Sequence, residues 1–137
     1  MRYLLDTNVI SDARRRGTSP ALDVWLAGQP VAELAISAIT LLELDIGIRR
    51  RERRDPVGGA ALRRWLDEQV VPTFTGRVLP VDERVVFEAA RLHTPDPMSD
   101  IDALIAATAL AHALTLVTRD TRDMERTGVS LLNPWLL

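Results

Sequence analysis

Four carboxylates in this chain stand where an acid needs an explanation: Asp6, Glu43, Asp102 and Asp120. Asp6 ends the apolar run Tyr3-Leu4-Leu5, which reads as a short strand buried on both faces, the kind found inside parallel sheets. Asp6, Thr7 and Asn8 are all helix N-cap types, so a helix is expected to begin there. Asp6 then lies at the carboxyl end of a central strand, beside a helix N-terminus, where open α/β sheets bind ligands. Glu43 sits between Leu42 and Leu44, with Ile39 four residues before it and Ile46 three after, on one helix face. Asp102 opens the segment Asp102–Ala109, and Ile105, Ala106 and Ala109 share its face, so it points inward. Asp120 follows the expected strand Thr115–Val117, again at a strand's carboxyl end.

Each acid also has a purely structural reading. Asp6 and Asp120 would serve as helix caps, with Asp123 a rival to Asp120. Glu43 would close a capping box opened by Thr40, a reading that fails if Ser37 is the true cap. Asp102 would be a first-turn acid behind the cap Ser99, a role that Asp100 fits better. What joins the four is their common position at one edge of a parallel sheet. Carboxylates gathered in one pocket repel unless a cation lies among them. The chain has no cysteine and only His93 and His112, which read as structural, so the expected cation is hard: Mg²⁺, with Mn²⁺ as a substitute. An acid-rich Mg²⁺ site suits phosphodiester hydrolysis, the metal activating water and offsetting phosphate charge.

The composition removes competing chemistries. All 17 basic residues are arginine, which excludes a P-loop lysine and a Schiff-base lysine. A phosphatase of the haloacid-dehalogenase type needs an Asp where Asn8 stands, and a lysine, so it is rejected. The absence of cysteine excludes disulfides, thiol nucleophiles and zinc–thiolate sites. With a net charge of −2, no global basic field announces a nucleic acid. The first residues do not read as a secretory leader, and Ala103–Val117 is too short for a membrane span, so a cytoplasmic protein is expected.

The elements that must position the acids follow from pattern. At 137 residues, 47% hydrophobic, the chain is expected to be a single domain over 1–137. Helices are expected at Val9–Arg16, from Pro20 to a stop at Gly28, from Ser37 or Thr40 to about Arg54, at Ala60–Val71, from Asp82 to about Leu92, and at Asp100–Ala113. Strands are expected at Tyr3–Leu5, Leu34–Ile36, Val78–Leu79, Thr115–Val117 and Val129–Leu132. Asp55–Gly59 reads as a break and Thr94–Met98 as a loop. Alternating strands and helices predict a three-layer α/β/α domain around a central parallel sheet of four to five short strands. The helices on either side of Asp55–Gly59 predict a protruding helical hairpin. Arginines cluster at Arg14–Arg16 and Arg49–Arg54; most fit a solvated helix end, and Arg49, Arg50 and Arg119 could also form a rim for RNA or an acidic partner. Trp25, Trp65 and Trp135 read as packing residues.

These residues resemble the PIN-domain nucleases, specifically the VapC-like toxins of type II toxin–antitoxin pairs and within them the FitB-like subgroup. The resemblance rests on Leu4–Ser11, on Ser37–Glu43 with Gly47, and on Gly76–Pro80 with Asp82. It continues through Asp102–Ala109, Thr118–Asp120 and Asn133–Trp135, so it runs from end to end of the chain. It implies that Asp6, Glu43, Asp102 and Asp120 form an acidic quartet, with Asp6 and Asp102 the firmest metal ligands and Thr7, Asn8 and Thr118 in support. It further implies a Mg²⁺- or Mn²⁺-dependent endoribonuclease, a homodimer, and a small VapB/FitA-like antitoxin through which the pair binds DNA. Two departures stand out. Many relatives have Asn where this chain has Asp120, with an acid three residues on, where Asp123 stands. The Pro-rich loop Thr94–Met98 looks shorter than in FitB-like relatives. The alternative of another class is a protein that acts mainly by binding, within a DNA-bound repressor complex, with little nuclease activity.

Overall fold

The computed structural model describes residues 1–137. Five strands form one parallel sheet: β1 (Tyr3–Leu5), β2 (Leu34–Ser37), β3 (Val78–Leu79), β4 (Thr115–Val117) and β5 (Leu131–Leu132). Their spatial order is β3-β2-β1-β4-β5, so β1 is central and the order reverses beside it. Tyr3 pairs with Leu34 on one side and Thr115 on the other, and Leu5 with Val117. The carboxyl ends of β1 and β4 are thereby level.

Side chains alternate across the pleat, as strand geometry requires. Leu4, Ala35 and Leu116 enter one core, with the helices α6 (Glu83–Leu92) and α7 (Asp100–Ala111). Tyr3, Leu5, Ile36 and Val117 enter the other, with α1 (Thr7–Ala13), α2 (Pro20–Ala27), α3 (Ala38–Arg54) and α4 (Pro56–Trp65). The result is the expected α/β/α sandwich. Helix α7 tolerates burial nearly all round because its centre is alanine-rich; Ala103, Ala106, Ala107 and Ala109 are fully buried. A short helix α8 (Thr121–Met124) leads from β4 toward Gly128, whose left-handed backbone, φ 77°, turns the chain into β5.

Several boundaries differ from the sequence reading, each for a local reason. Helix α1 begins two residues early, because Asp6 itself caps it, and stops at Ala13. The expected break at Asp55–Gly59 is one residue long. Asp55 accepts a hydrogen bond from the Gly58 N–H and Pro56 takes the first helical position, so α4 starts at once. Gly59 stands inside α4 because a Cβ there would lie 2.5 Å from the Glu52 Cα of α3. Arg63 of α4 reaches back to Asp45 and Glu52 of α3, which fixes the two helices as an antiparallel hairpin. Helix α4 continues through a π-helical turn, Leu66–Val70, into α5 (Val71–Thr73), past the expected end at Val71. The last strand is only Leu131–Leu132. No helix is long and apolar enough to cross a membrane.

Candidate active site

Asp6 is the hub of the sheet's carboxyl edge and is almost fully buried, 5% exposed. Its Oδ1 accepts a hydrogen bond from the Thr7 N–H at 2.7 Å, and its Oδ2 accepts from the Thr118 hydroxyl at 2.8 Å. One oxygen caps α1 while the other ties β1 to the segment after β4. Burial pushes the Asp6 carboxyl up to about 6; the hydrogen bonds from Thr118 and Thr7 oppose that, while the charges of Asp102 and Glu43 add to it.

Glu43 joins through Thr7, whose hydroxyl donates to Glu43 Oε1 at 2.5 Å and lies 3.2 Å from the Thr40 hydroxyl. Ser37 is the cap of α3, its Oγ accepting from the Ile39 N–H at 3.0 Å, so Glu43 is not part of a capping box. The apolar stripe expected around Glu43 is buried only in part: Ile39 and Leu44 are inside, whereas Leu42 and Ile46 are exposed.

Asp102 lies in the first turn of α7, its N–H donating to the cap Ser99. Burial raises its carboxyl first, then the charges of Glu43, Asp120 and Asp123. Those charges come from α3 and from α8 with its cap residue, which puts these acids near Asp102. Asp120 makes no capping bond to α8. Its carboxylate instead accepts from Asn8 Nδ2 at 3.2 Å, and its N–H donates to the Thr118 hydroxyl at 3.0 Å. Asp123 lines an open cavity of about 720 Å³ that Asp102, Arg122 and Glu125 share.

Asp6, Glu43, Asp102, Asp120 and Asp123 take part in none of the molecule's ion pairs. Carboxylates so placed raise the energy of the charged state unless a cation joins them. All the donors are oxygen, the set that hard divalent ions select. No three of these side chains, as they stand, converge closely enough to hold an ion. Ligation by these acids would require side-chain rotation toward a common centre.

The arginine rim falls differently from expectation. Arg49 turns to Asp45 on its own helix, 3.0 Å away, and Arg50 is exposed without an ion pair. Arg119 pairs with Asp12 and lies over the Trp135 ring, 4.4 Å from its centroid, so it braces the C-terminal turn. The arginines that line a groove reaching Glu43 are Arg14, Arg15, Arg51 and Arg54. For Arg51 and Arg54, the offset from Glu43 by eight and eleven residues carried that signal. His93 accepts from the Met98 N–H at 3.2 Å and faces Asp100, a structural role in keeping with the sequence reading.

Residues 3–129 match the PIN domain family. The chain belongs to that family. As a PIN-domain protein it is 35% identical over 137 residues to Toxin FitB of Neisseria gonorrhoeae, covering 96% of this chain and 97% of that protein. It is 35% identical over 139 residues to VapC ribonuclease Y4jK of Sinorhizobium fredii, with 96% of each covered. Among solved structures, FitAcB from Neisseria gonorrhoeae matches with a TM-score of 0.90 and 34% identity, covering 98% of this chain and 99% of that one. FitAB bound to an IR36 DNA fragment matches with a TM-score of 0.86 and 31% identity, over 98% of this chain and 96% of that one. This PIN-domain chain stands among the ribonuclease toxins of toxin–antitoxin systems, and PIN-domain ribonucleases are metal-dependent hydrolases.

Proposed function

We propose that Asp6, Glu43, Asp102 and Asp120 form the site at which this chain, as one nuclease domain over residues 1–137, hydrolyses RNA phosphodiester bonds with Mg²⁺ or Mn²⁺. The observation that supports the reading is that Thr7, Thr118 and Asn8 link Asp6, Glu43 and Asp120 at the sheet's carboxyl edge, with Asp102 near them, and that none of these acids has a cationic partner. Asp6 and Asp102 would hold the ion, the first aimed by Thr7 and Thr118 and the second by its place in the first turn of α7. When bound, the ion supplies Lewis acidity that makes water a better nucleophile and offsets phosphate charge.

The remaining groups orient and take protons. Thr7 fixes one oxygen of Glu43, which leaves the other free to accept a proton from water. Asn8 holds one Asp120 oxygen through its amide and reaches the Thr118 hydroxyl at 3.4 Å, so both strand ends move as a unit. Asp123 acts on the charge of Asp102 from α8 and stays a rival to Asp120; comparing Asp120→Asn with Asp123→Asn assigns the role.

The wider reading follows the relatives. The partner is a VapB/FitA-like antitoxin, DNA is reached only through it, and the setting is the cytoplasm. A homodimer is proposed, supported by the exposed apolar pair Val86 and Phe87 on α6.

The test is RNA cleavage by purified, antitoxin-free protein with and without Mg²⁺ or Mn²⁺, with Asp6→Asn and Asp102→Asn alongside. Metal-dependent cutting that both variants lose is expected. Undiminished cutting by both variants would sink the proposal.

A further inference from the structure

Gly47 is a helix-interior glycine with no reason inside the chain. It lies in the middle of the seventeen-residue α3, where glycine weakens a helix relative to alanine. A Cβ built there meets no atom within 4 Å, so no neighbour forbids a side chain. Gly59 is the contrast, since its neighbour Glu52 fills the space a Cβ would need.

What Gly47 does face is a groove of about 410 Å³ between α1 and the α3–α4 hairpin. Thr7 and Glu43, joined at 2.5 Å, stand in its wall, as do Arg14, Arg51 and Arg54. From Glu43 to Arg54 is eleven residues along α3, roughly 16 Å, the length of a few nucleotides. Gly47 sits one turn from Glu43 on that path and lines the groove without a side chain. Arg54 has no ion pair, and the Arg14 guanidinium carbon lies over the Trp65 ring, 5.9 Å from its centroid. The groove thus has arginines toward one end and Glu43 toward the other, with Leu44, Gly47, Ile48 and Arg51 of α3 between them and no side chain at residue 47.

We propose that this groove carries the sugar–phosphate backbone of the RNA strand past Glu43, and that residue 47 is glycine because a side chain there would stand in the strand's path. The inference rests on the nuclease reading and adds a direction to it. The strand enters over Arg54 and Arg14, which hold phosphates, and reaches the carboxylates at the other end. Arginine side chains suit phosphate in a forked geometry, and the open backbone at Gly47 lets a chain approach closely. Charge complementarity selects a polyanion as the occupant.

The test uses the full chain and two variants, Gly47→Leu and Arg54→Ala. Leucine is a good helix former, so Gly47→Leu should melt no lower than the wild type. Binding is read by anisotropy of a fluorescent single-stranded RNA oligonucleotide in buffer with Ca²⁺ as the only divalent ion; cleavage is read separately with Mg²⁺. Gly47→Leu is expected to raise Kd about tenfold or more, as a one-side-chain obstruction in a bound strand's path does. Arg54→Ala is expected to lower the slope of log affinity against log salt by about 0.7, the loss of one single-strand phosphate contact. Wild-type RNA affinity in Gly47→Leu overturns the inference while leaving the nuclease reading intact. Wild-type RNA affinity in Gly47→Leu with loss of inhibition by the cognate antitoxin also overturns it, and assigns the groove to a protein tail. A wild type that binds RNA in the groove and cuts none overturns the nuclease reading alone.

Discussion

Asp6→Asn should make the metal-free protein more stable at neutral pH. The carboxyl sits at about 6 in the fold against 3.8 as an isolated group, raised mainly by burial. An acid raised on folding binds more protons in the native state than in the unfolded one between those two values. Stability therefore falls as pH climbs through about 4 to 6 and stays low above it. A shift of about two units corresponds to roughly 3 kcal/mol at pH 7. Asparagine keeps an oxygen for the Thr7 N–H but loses the acceptor for the Thr118 hydroxyl, a loss of about 1 kcal/mol. The net gain is roughly 2 kcal/mol, or on the order of 5 °C in Tm for a domain of this size.

The assay is thermal unfolding of wild type and Asp6→Asn in EDTA from pH 4 to pH 8. The advantage of the variant should be full near pH 7 and vanish near pH 4, where the wild-type carboxyl is protonated as well. Adding Mg²⁺ should raise the wild type and leave the variant nearly unchanged, because only the carboxylate gains a partner. An Asp6→Asn protein that melts below the wild type at pH 7 in EDTA would refute the reasoning. So would an advantage that does not shrink toward pH 4.

Three further outcomes follow from the same geometry. Ser37→Ala removes the cap of α3 and should destabilise by about 1 kcal/mol in chemical unfolding, with Glu43 activity reduced only as far as the helix start frays. Gly59→Ala forces a methyl to within 2.5 Å of the Glu52 Cα and should destabilise by roughly 3 kcal/mol, because backbone rather than a flexible tip must give. Thr118→Val removes the donor to Asp6 and the acceptor for the Asp120 N–H; it should shift the acid limb of the pH–rate profile upward and lower kcat about tenfold or more.

The sheet was legible because its strands are short apolar runs that stop at polar residues, and their order along the chain prescribes parallel crossovers. Boundaries were legible wherever a cap declared itself, as at Ser99 and Asp82. The helix start at Pro56 was not, because two glycines in a row read as a break. Their actual reason, the close approach of Glu52 at Gly59, exists only in three dimensions. The acids were legible as breaches of an apolar pattern, but the arginines were not sorted by sequence. Arg49 and Arg119 look like a rim in the chain and are ion-paired in the fold, whereas Arg51 and Arg54 come to the groove through helical phase.

Capping and chemistry need not compete at Asp6. The Oδ1 bond to the Thr7 N–H caps α1, and that same bond fixes the side-chain torsion that aims Oδ2 across to Thr118. Because Thr7 also holds Glu43, the first turn of α1 joins the acid of β1 to the acid of α3. Thr118 likewise joins Asp6 to the Asp120 N–H. A helix cap is therefore the joint around which the acids are set, and its two threonines are the levers. Losing the Thr118 hydroxyl should disturb two acids at once, whereas losing the Thr7 hydroxyl frees Glu43 alone, because the bond to Asp6 comes from the Thr7 main-chain N–H. That asymmetry separates this arrangement from four independent ligands. It would be seen as a larger change in metal affinity for Thr118→Val than for Asp120→Asn.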